Sequence, residues 1–113
     1  MADETRSVLN VFRLHTAHGA YQTALSRDFL VEATQLPDRS VRAAIQELRG
    51  LGYPIYSAPS FTGYRFAKDE QEVLLLAERF ERMGRQHLMT ASRLRQRYTR
   101  HLPDADPVQD PLL

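Results

Sequence analysis

The sequence predicts an α+β fold that is mostly α. Apolar residues recur at helical spacing over most of the chain, and two short stretches rich in β-forming residues, PIYSAP and GYRFA, follow a corner of glycine and proline. The run from Asp69 to His101 has no proline and a single glycine, which predicts one long carboxy-terminal helix. With 113 residues, we expect one small domain followed by this helix.

The first predicted helix runs from Thr5 to His18 and ends at Gly19, a residue type that favours the left-handed conformation at helix ends. His15 and His18 have the i, i+3 spacing that can place two metal ligands on one helical face. We favour the interpretation that they complement the negative end of the helix, because no second acidic or histidine cluster accompanies them. We therefore predict no metal site. The apolar face of this helix consists of Val8, Leu9, Val11, Phe12 and Leu14.

Two further helices are predicted between Ser26 and Gly50. Ser26 is a suitable N-cap for the first of them, whose inward positions would be Phe29, Leu30 and Ala33. The next helix begins at Pro37, since proline suits a first helical turn. A rotation of about 100° per residue gives this helix two distinct sides. One side carries Val41, Ala44, Ile45 and Leu48, and the other carries Arg39, Ala43 and Gln46, flanked by Arg42 and Arg49.

A β-hairpin is predicted after the third helix. Gly52-Tyr53-Pro54 cannot continue a helix, so the chain must turn at this point. PIYSAP and GYRFA then form two short strands around a loop that contains residues 60–63. Because two strands alone are marginally stable, we expect the hairpin to pack against the helices.

The register SRDFLVEATQLPDRSVRAAIQELRGLGYPI, together with the closing GYRF, resembles the winged helix-turn-helix domains, in particular those similar to the amino-terminal domain of the biotin operon repressor. The resemblance covers residues 8–67, and the domain is expected to span residues 5–68. It implies that residues 26–35 form a supporting helix and that residues 37–49 form a recognition helix in the DNA major groove, with the hairpin wing beside it on the DNA backbone. Gln35 stands where glycine is common in the turn, and residues 60–63 carry no cation.

These residues predict sequence-directed binding of double-stranded DNA by a transcriptional regulator or a phage- or plasmid-type accessory factor. Arginine and glutamine side chains can contact phosphates or form paired hydrogen bonds with base edges. The alternative is an assembly adaptor that uses the same fold without binding DNA, because fold does not establish function. The predicted DNA contacts are Arg39, Ser40, Arg42, Ala43, Gln46, Arg49, Arg65 and Lys68.

The long helix, residues 69–101, is predicted to form a homodimer through an apolar stripe. Acids fill its first half, whereas six arginines and no acid occur from Arg82 to Arg100. An antiparallel pair would lay each acidic half along the partner's basic half and would place the two DNA-binding domains at opposite ends. The rival accounts are a phosphate-binding basic arm and a stripe that folds back on the first helix. The stripe contains Val73, Leu76, Phe80, Met83, His87, Ala91, Leu94 and Tyr98.

Several classes of function are excluded or disfavoured by the sequence. There is no cysteine, which excludes a disulfide framework and a thiolate metal site. No apolar run approaches the roughly 20 residues that a membrane-spanning helix needs, and MADETRSV lacks the layout of a signal peptide. We therefore expect a cytoplasmic protein. No catalytic constellation or phosphate-binding loop is recognisable, so we predict neither an enzyme nor a cofactor. We expect residues 102–113 to form a flexible acidic tail.

Overall fold

The computed structural model describes residues 1–16 and 23–101, without the side chains of residues 100 and 101. Within these ranges the fold is α+β and mostly α, as predicted, with four helices and one two-stranded antiparallel sheet. The chain forms two compact units, Met1–Leu76 and Ala77–Leu113. The elements are α1 (Asp3–Thr16), α2 (Arg27–Thr34), α3 (Asp38–Gly50), β1 (Ile55–Tyr56), β2 (Arg65–Phe66) and α4 (Glu70–His101).

The core of the first unit lies between the inner faces of α1 and α3. The predicted inner side of α3 is confirmed, because Val41, Ala44, Ile45 and Leu48 are all buried. From the other elements, the core receives Val8, Leu9, Phe12, Leu25, Leu30 and Ile55.

Helix α1 begins at Asp3, two residues before the predicted start, with Asp3 and Glu4 in the first turn, where acidic side chains complement the helix dipole. Leu14 was predicted on the apolar face, but it is 67 % exposed, because a rotation of about 100° per residue places it on the side of α1 opposite the buried Val8, Leu9 and Phe12. His15 contacts the ring of Phe29 edge-on, at 5.2 Å between centroids. The predicted partner His18 and the predicted stop Gly19 lie outside the described residues.

Helix α2 is capped as predicted, since the Ser26 side chain accepts a hydrogen bond from the backbone N–H of Phe29. The predicted inward positions Phe29 and Ala33 are wrong, because both are exposed. In this helix of eight residues the buried face is set by Leu30, with Val31 packed beside it. The helix ends at Thr34 and is followed by Gln35, which adopts the left-handed conformation at φ 59°.

The hairpin pairs Ile55 with Phe66 and Tyr56 with Arg65, as two antiparallel strands. It packs on the helices as predicted: the rings of Phe12 and Phe66 lie 5.6 Å apart. The hairpin is also joined to the segment before α2 by a backbone bridge between Leu25 and Tyr64, with N···O distances of 2.7 and 2.9 Å.

Helix α4 is continuous from Glu70 to His101, close to its predicted bounds. Its first turns belong to the first unit, where Glu72 and Leu76 are buried. Leu76 was predicted to face a dimer partner, but it is only 6 % exposed because its own unit covers it. No helix within the described ranges is long and apolar enough to cross a membrane.

Candidate functional site

The outward side of α3 is the candidate functional surface. Because Val41, Ile45 and Leu48 face the core, the helical rotation turns Arg39, Ala43 and Gln46 to the opposite side. All three of these residues are exposed, as is Arg42 at one flank, and Ser40 is half-buried. The structure thus brings together, on one exposed face, the predicted residues Arg39, Arg42, Ala43 and Gln46.

Both acidic side chains of α3 have partners at the border of this surface. Asp38 forms salt bridges with Arg27 at 3.4 Å and with Arg42 at 3.1 Å. Glu47 accepts a hydrogen bond of 2.7 Å from the hydroxyl of Thr5. The central strip of the surface therefore carries no carboxylate, and no described residue forms a salt bridge with Arg39.

Arg49 was predicted on the DNA-binding surface, but the structure gives this side chain an internal role. Its Nε donates a hydrogen bond of 2.7 Å to the carbonyl of Ile55, and its Nη2 lies 3.3 Å from the hydroxyl of Ser57. The guanidinium also lies over the ring of Tyr64, 5.7 Å from the centroid. Arg49 thus joins α3 to the hairpin, and we leave it out of the candidate surface.

Arg65 was also predicted to contact DNA, and it too is held inside the fold. Its two terminal nitrogens donate to the two carboxylate oxygens of Glu72, at 2.7 and 3.0 Å. The guanidinium lies 5.4 Å from the ring centroid of Tyr56 and 4.8 Å from that of Phe61. The side chain is only 15 % exposed, so we remove Arg65 from the candidate surface as well.

Lys68 and Glu72 meet at the start of α4. The backbone N–H of Lys68 donates to Glu72 at 2.9 Å, while the Lys68 side chain is exposed. The pKa of Glu72 is lowered from 4.5 to about 2, chiefly by the hydrogen bond from Arg65. Burial opposes this shift, whereas the Lys68 N–H and the positive charges of Arg65 and Lys68 add to it.

Sequence reasoning explained Glu72 by the helix dipole alone and missed this network. The detectable signal was the spacing of Asp69 and Glu72, because a capping residue followed three positions later by glutamate is typical of a helix start, and the Glu72 N–H indeed donates to Asp69 at 2.9 Å.

The hairpin loop folds back against the two strands that it connects. The ring of Phe61 folds back against Tyr56, at 6.0 Å between centroids, and against Arg65. Gly63 adopts φ 105°, where a Cβ would lie 2.6 Å from the carbonyl oxygen of Leu25. The loop therefore has a defined conformation and presents no cation between residues 57 and 64.

Comparisons with protein-family models, curated proteins and solved structures found no match for this chain. Within the described residues, no group of three or more histidine, aspartate or glutamate side chains is arranged to hold a metal ion. The α3 surface, with Arg39, Arg42, Ala43 and Gln46 exposed together, is therefore the candidate functional site of this protein.

Proposed function

We propose that this protein binds double-stranded DNA through the outward side of α3. One observation carries the proposal. Arg39, Arg42 and Gln46 lie together on the exposed side of α3, opposite its buried residues, and the two carboxylates of the helix, at the border of this surface, are bound to other side chains. The order of three helices, a short hairpin and a further helix is compatible with the winged helix-turn-helix resemblance of the sequence. In such a domain this helix enters the major groove.

The residue types on this surface suit two kinds of contact with DNA. The guanidinium groups of Arg39 and Arg42 can neutralise phosphates or bind guanine, and the amide of Gln46 can pair with adenine. Ala43 lies between them, and its small side chain allows the helix to approach the bases closely. The Arg42–Asp38 salt bridge is an exposed i, i+4 pair, a type that contributes only about 0.3 to 0.5 kcal/mol, so Arg42 can exchange this partner for a phosphate at little cost.

The hairpin acts in this proposal as a rigid support beside α3. Arg49 and Arg65 hold its two strands, and the loop between residues 57 and 64 offers no cation to the DNA backbone. Of the predicted cations near the hairpin, Lys68 has an exposed side chain and remains a candidate phosphate contact. The biological role that fits is that of a transcriptional regulator or a phage- or plasmid-type accessory factor.

Fluorescence polarisation with a labelled random-sequence duplex, at two salt concentrations, tests the proposal. We expect Arg39→Ala and Arg42→Ala each to weaken binding and to reduce the salt dependence by about one counterion, because on a random-sequence duplex each guanidinium would act by neutralising a phosphate. Arg85→Ala is the matched control, because it removes one exposed arginine from α4, and it should leave the affinity unchanged. Unchanged affinity in both α3 variants, with circular dichroism intact, would reject this surface.

Gln46→Ala tests base reading separately from phosphate binding. On random duplex we expect no effect, whereas on a sequence selected from a random pool we expect a loss of about 1 to 3 kcal/mol. An equal effect on both duplexes would show that Gln46 reads no base.

The second candidate function is an assembly adaptor, and the exposed apolar side chains of α4 favour it. Phe80, Met83 and Leu94 are each more than two-fifths exposed. A folded wild-type protein that binds no duplex even at low salt would reject DNA binding and leave the adaptor as the better account.

A further inference from the structure

The part of α4 that lies in the second unit presents an apolar stripe to solvent. This segment is helical throughout, and its exposed fractions are 45 % for Phe80, 44 % for Met83, 55 % for Leu94 and 38 % for Tyr98. With His87 and Ala91 between them, these residues recur at intervals of three and four positions, so they share one side of the helix. A run of apolar side chains this long on one exposed helix side marks an interaction surface.

The stripe is symmetric about His87. Met83 and Ala91 lie four residues to either side of His87, and Phe80 and Leu94 lie seven residues to either side. If two copies pair antiparallel with the two-fold axis at His87, Met83 meets the partner's Ala91 and Phe80 meets the partner's Leu94. A large side chain then faces a smaller one in each pair, which allows the two helices to interdigitate.

The distribution of charge favours the antiparallel direction. Residues 93–100 contain four arginines and no acid, whereas both acids of this unit's part of the helix, Glu78 and Glu81, precede His87. Parallel pairing would place the two sets of four arginines side by side. Antiparallel pairing lays each set along the half of the partner before His87, where two acids and three arginines in residues 77–86 leave a net charge of only +1, so it brings less like charge together. It also opposes the two helix dipoles.

We propose that α4 binds a second copy of itself, antiparallel, through the surface centred on His87. Of the predicted dimer residues, this interface retains Phe80, Met83, His87 and Leu94. It excludes Val73 and Leu76, which belong to the first unit. It also excludes Tyr98, because an axis at His87 would place it opposite the partner's Leu76. Its stability does not depend on DNA binding, so the two proposals can fail separately.

Cysteine cross-linking tests both the partner and the direction, since the native chain has no cysteine. We expect Met83→Cys mixed with Ala91→Cys to give a disulfide-linked heterodimer, identified by its intact mass. Met83→Cys alone should give none, because in the antiparallel pair the two copies of position 83 are separated along the axis by eight residues, or about 12 Å, and a disulfide spans at most about 7 Å between Cα atoms. His87→Cys should cross-link alone and serves as the positive control for oxidation.

Cross-linking of Met83→Cys alone, without a heterodimer in the mixture, would overturn the direction by showing a parallel pair. A dimer in light scattering that forms neither the mixed link nor the His87→Cys link would overturn the interface. A monomeric wild type at high micromolar concentration would overturn self-association altogether.

Charge insertion gives a second test that needs no oxidation. We expect Phe80→Glu combined with Met83→Glu to make the protein monomeric in light scattering, because carboxylates cannot be buried unpaired in the stripe. Leu88→Glu combined with Met89→Glu is the matched control, since these residues are 72 % and 51 % exposed and lie outside the stripe, on the flank and on the far side of the same helix. If the control dissociates and the stripe variant does not, another side of α4 forms the interface.

Discussion

The two arginines that hold the hairpin show how side chains of one type acquire different roles. Arg49 and Arg65 carry the same group as Arg39 and Arg42, but their donors are used by a backbone carbonyl and by a carboxylate. A guanidinium offers five donors in a planar fork, so it suits both an internal network and a nucleic-acid surface. Which of the two it serves depends on what lies within reach of the side chain.

The Arg65–Glu72 pair predicts a loss of stability in acid. The pKa of Glu72 is lowered from 4.5 to about 2 in the folded protein, chiefly by the hydrogen bond from Arg65, so ionised Glu72 favours the folded state. Its contribution, about 3 kcal/mol as an upper estimate, is present above pH 4.5 and is lost as the pH falls towards 2. In urea unfolding at pH 7, we expect Glu72→Gln to be markedly less stable than the wild type, and the difference to shrink at pH 3.

The control for this prediction is Glu70→Gln, an exposed acid in the same first turn of α4, which should follow the wild-type pH dependence. A difference between Glu72→Gln and the wild type that stays constant from pH 7 to pH 3 would contradict the proposed linkage.

The hairpin depends on a close backbone approach as well as on its side chains. Gly52 and Gly63 both have positive φ, at 97° and 105°, but a Cβ at Gly52 would meet nothing within 4 Å, whereas one at Gly63 would lie 2.6 Å from the Leu25 carbonyl oxygen. The glycine at 63 is therefore needed both for its conformation and for the backbone bridge to Leu25.

This difference predicts the outcome of two identical substitutions. In chemical denaturation, we expect Gly52→Ala to cost about 1 to 2 kcal/mol, the cost of a left-handed alanine. Gly63→Ala should cost more, because the Leu25–Tyr64 bridge must also shift. Equal losses in the two variants would show that the bridge contributes little to stability.

The first unit is held by one core to which all three short helices and β1 contribute. Replacing a buried residue should therefore destabilise the helices and the hairpin together. Leu48 is fully buried and Leu14 is 67 % exposed, and both lie in helices, so the same substitution can be compared at the two sites.

We expect Leu48→Ala to lower the free energy of unfolding by about 2 to 5 kcal/mol, through lost burial and a residual cavity. Leu14→Ala should change it by no more than about 0.5 kcal/mol. Circular dichroism reports the helices. Because the chain has no tryptophan, tyrosine fluorescence reports the hairpin through Tyr53, Tyr56 and Tyr64 once Tyr21 and Tyr98 are replaced by phenylalanine in every variant compared. Separate transitions for the two probes in either variant would contradict a single shared core.

The sequence alone predicted the fold class, the order of the elements, the N-cap at Ser26 and the division of α3 into a buried and an exposed side. These features follow from local causes: the helical and strand repeats, and the residues that start or stop an element. The same repeats place Arg39, Ala43 and Gln46 opposite the core whatever the surrounding structure.

The tertiary structure decided which residues at the edges of the predicted apolar faces are buried. It also decided which arginine side chains donate their hydrogen bonds within the fold. Phe29 and Ala33 proved exposed, and Leu76 proved buried. Periodicity gives the direction of a side chain along one element, whereas burial depends on how far the neighbouring elements extend over it. For the same reason Arg49 and Arg65 belong to the hairpin: their partners, the Ile55 carbonyl and the Glu72 carboxylate, come within reach only after the strands and the start of α4 have packed together.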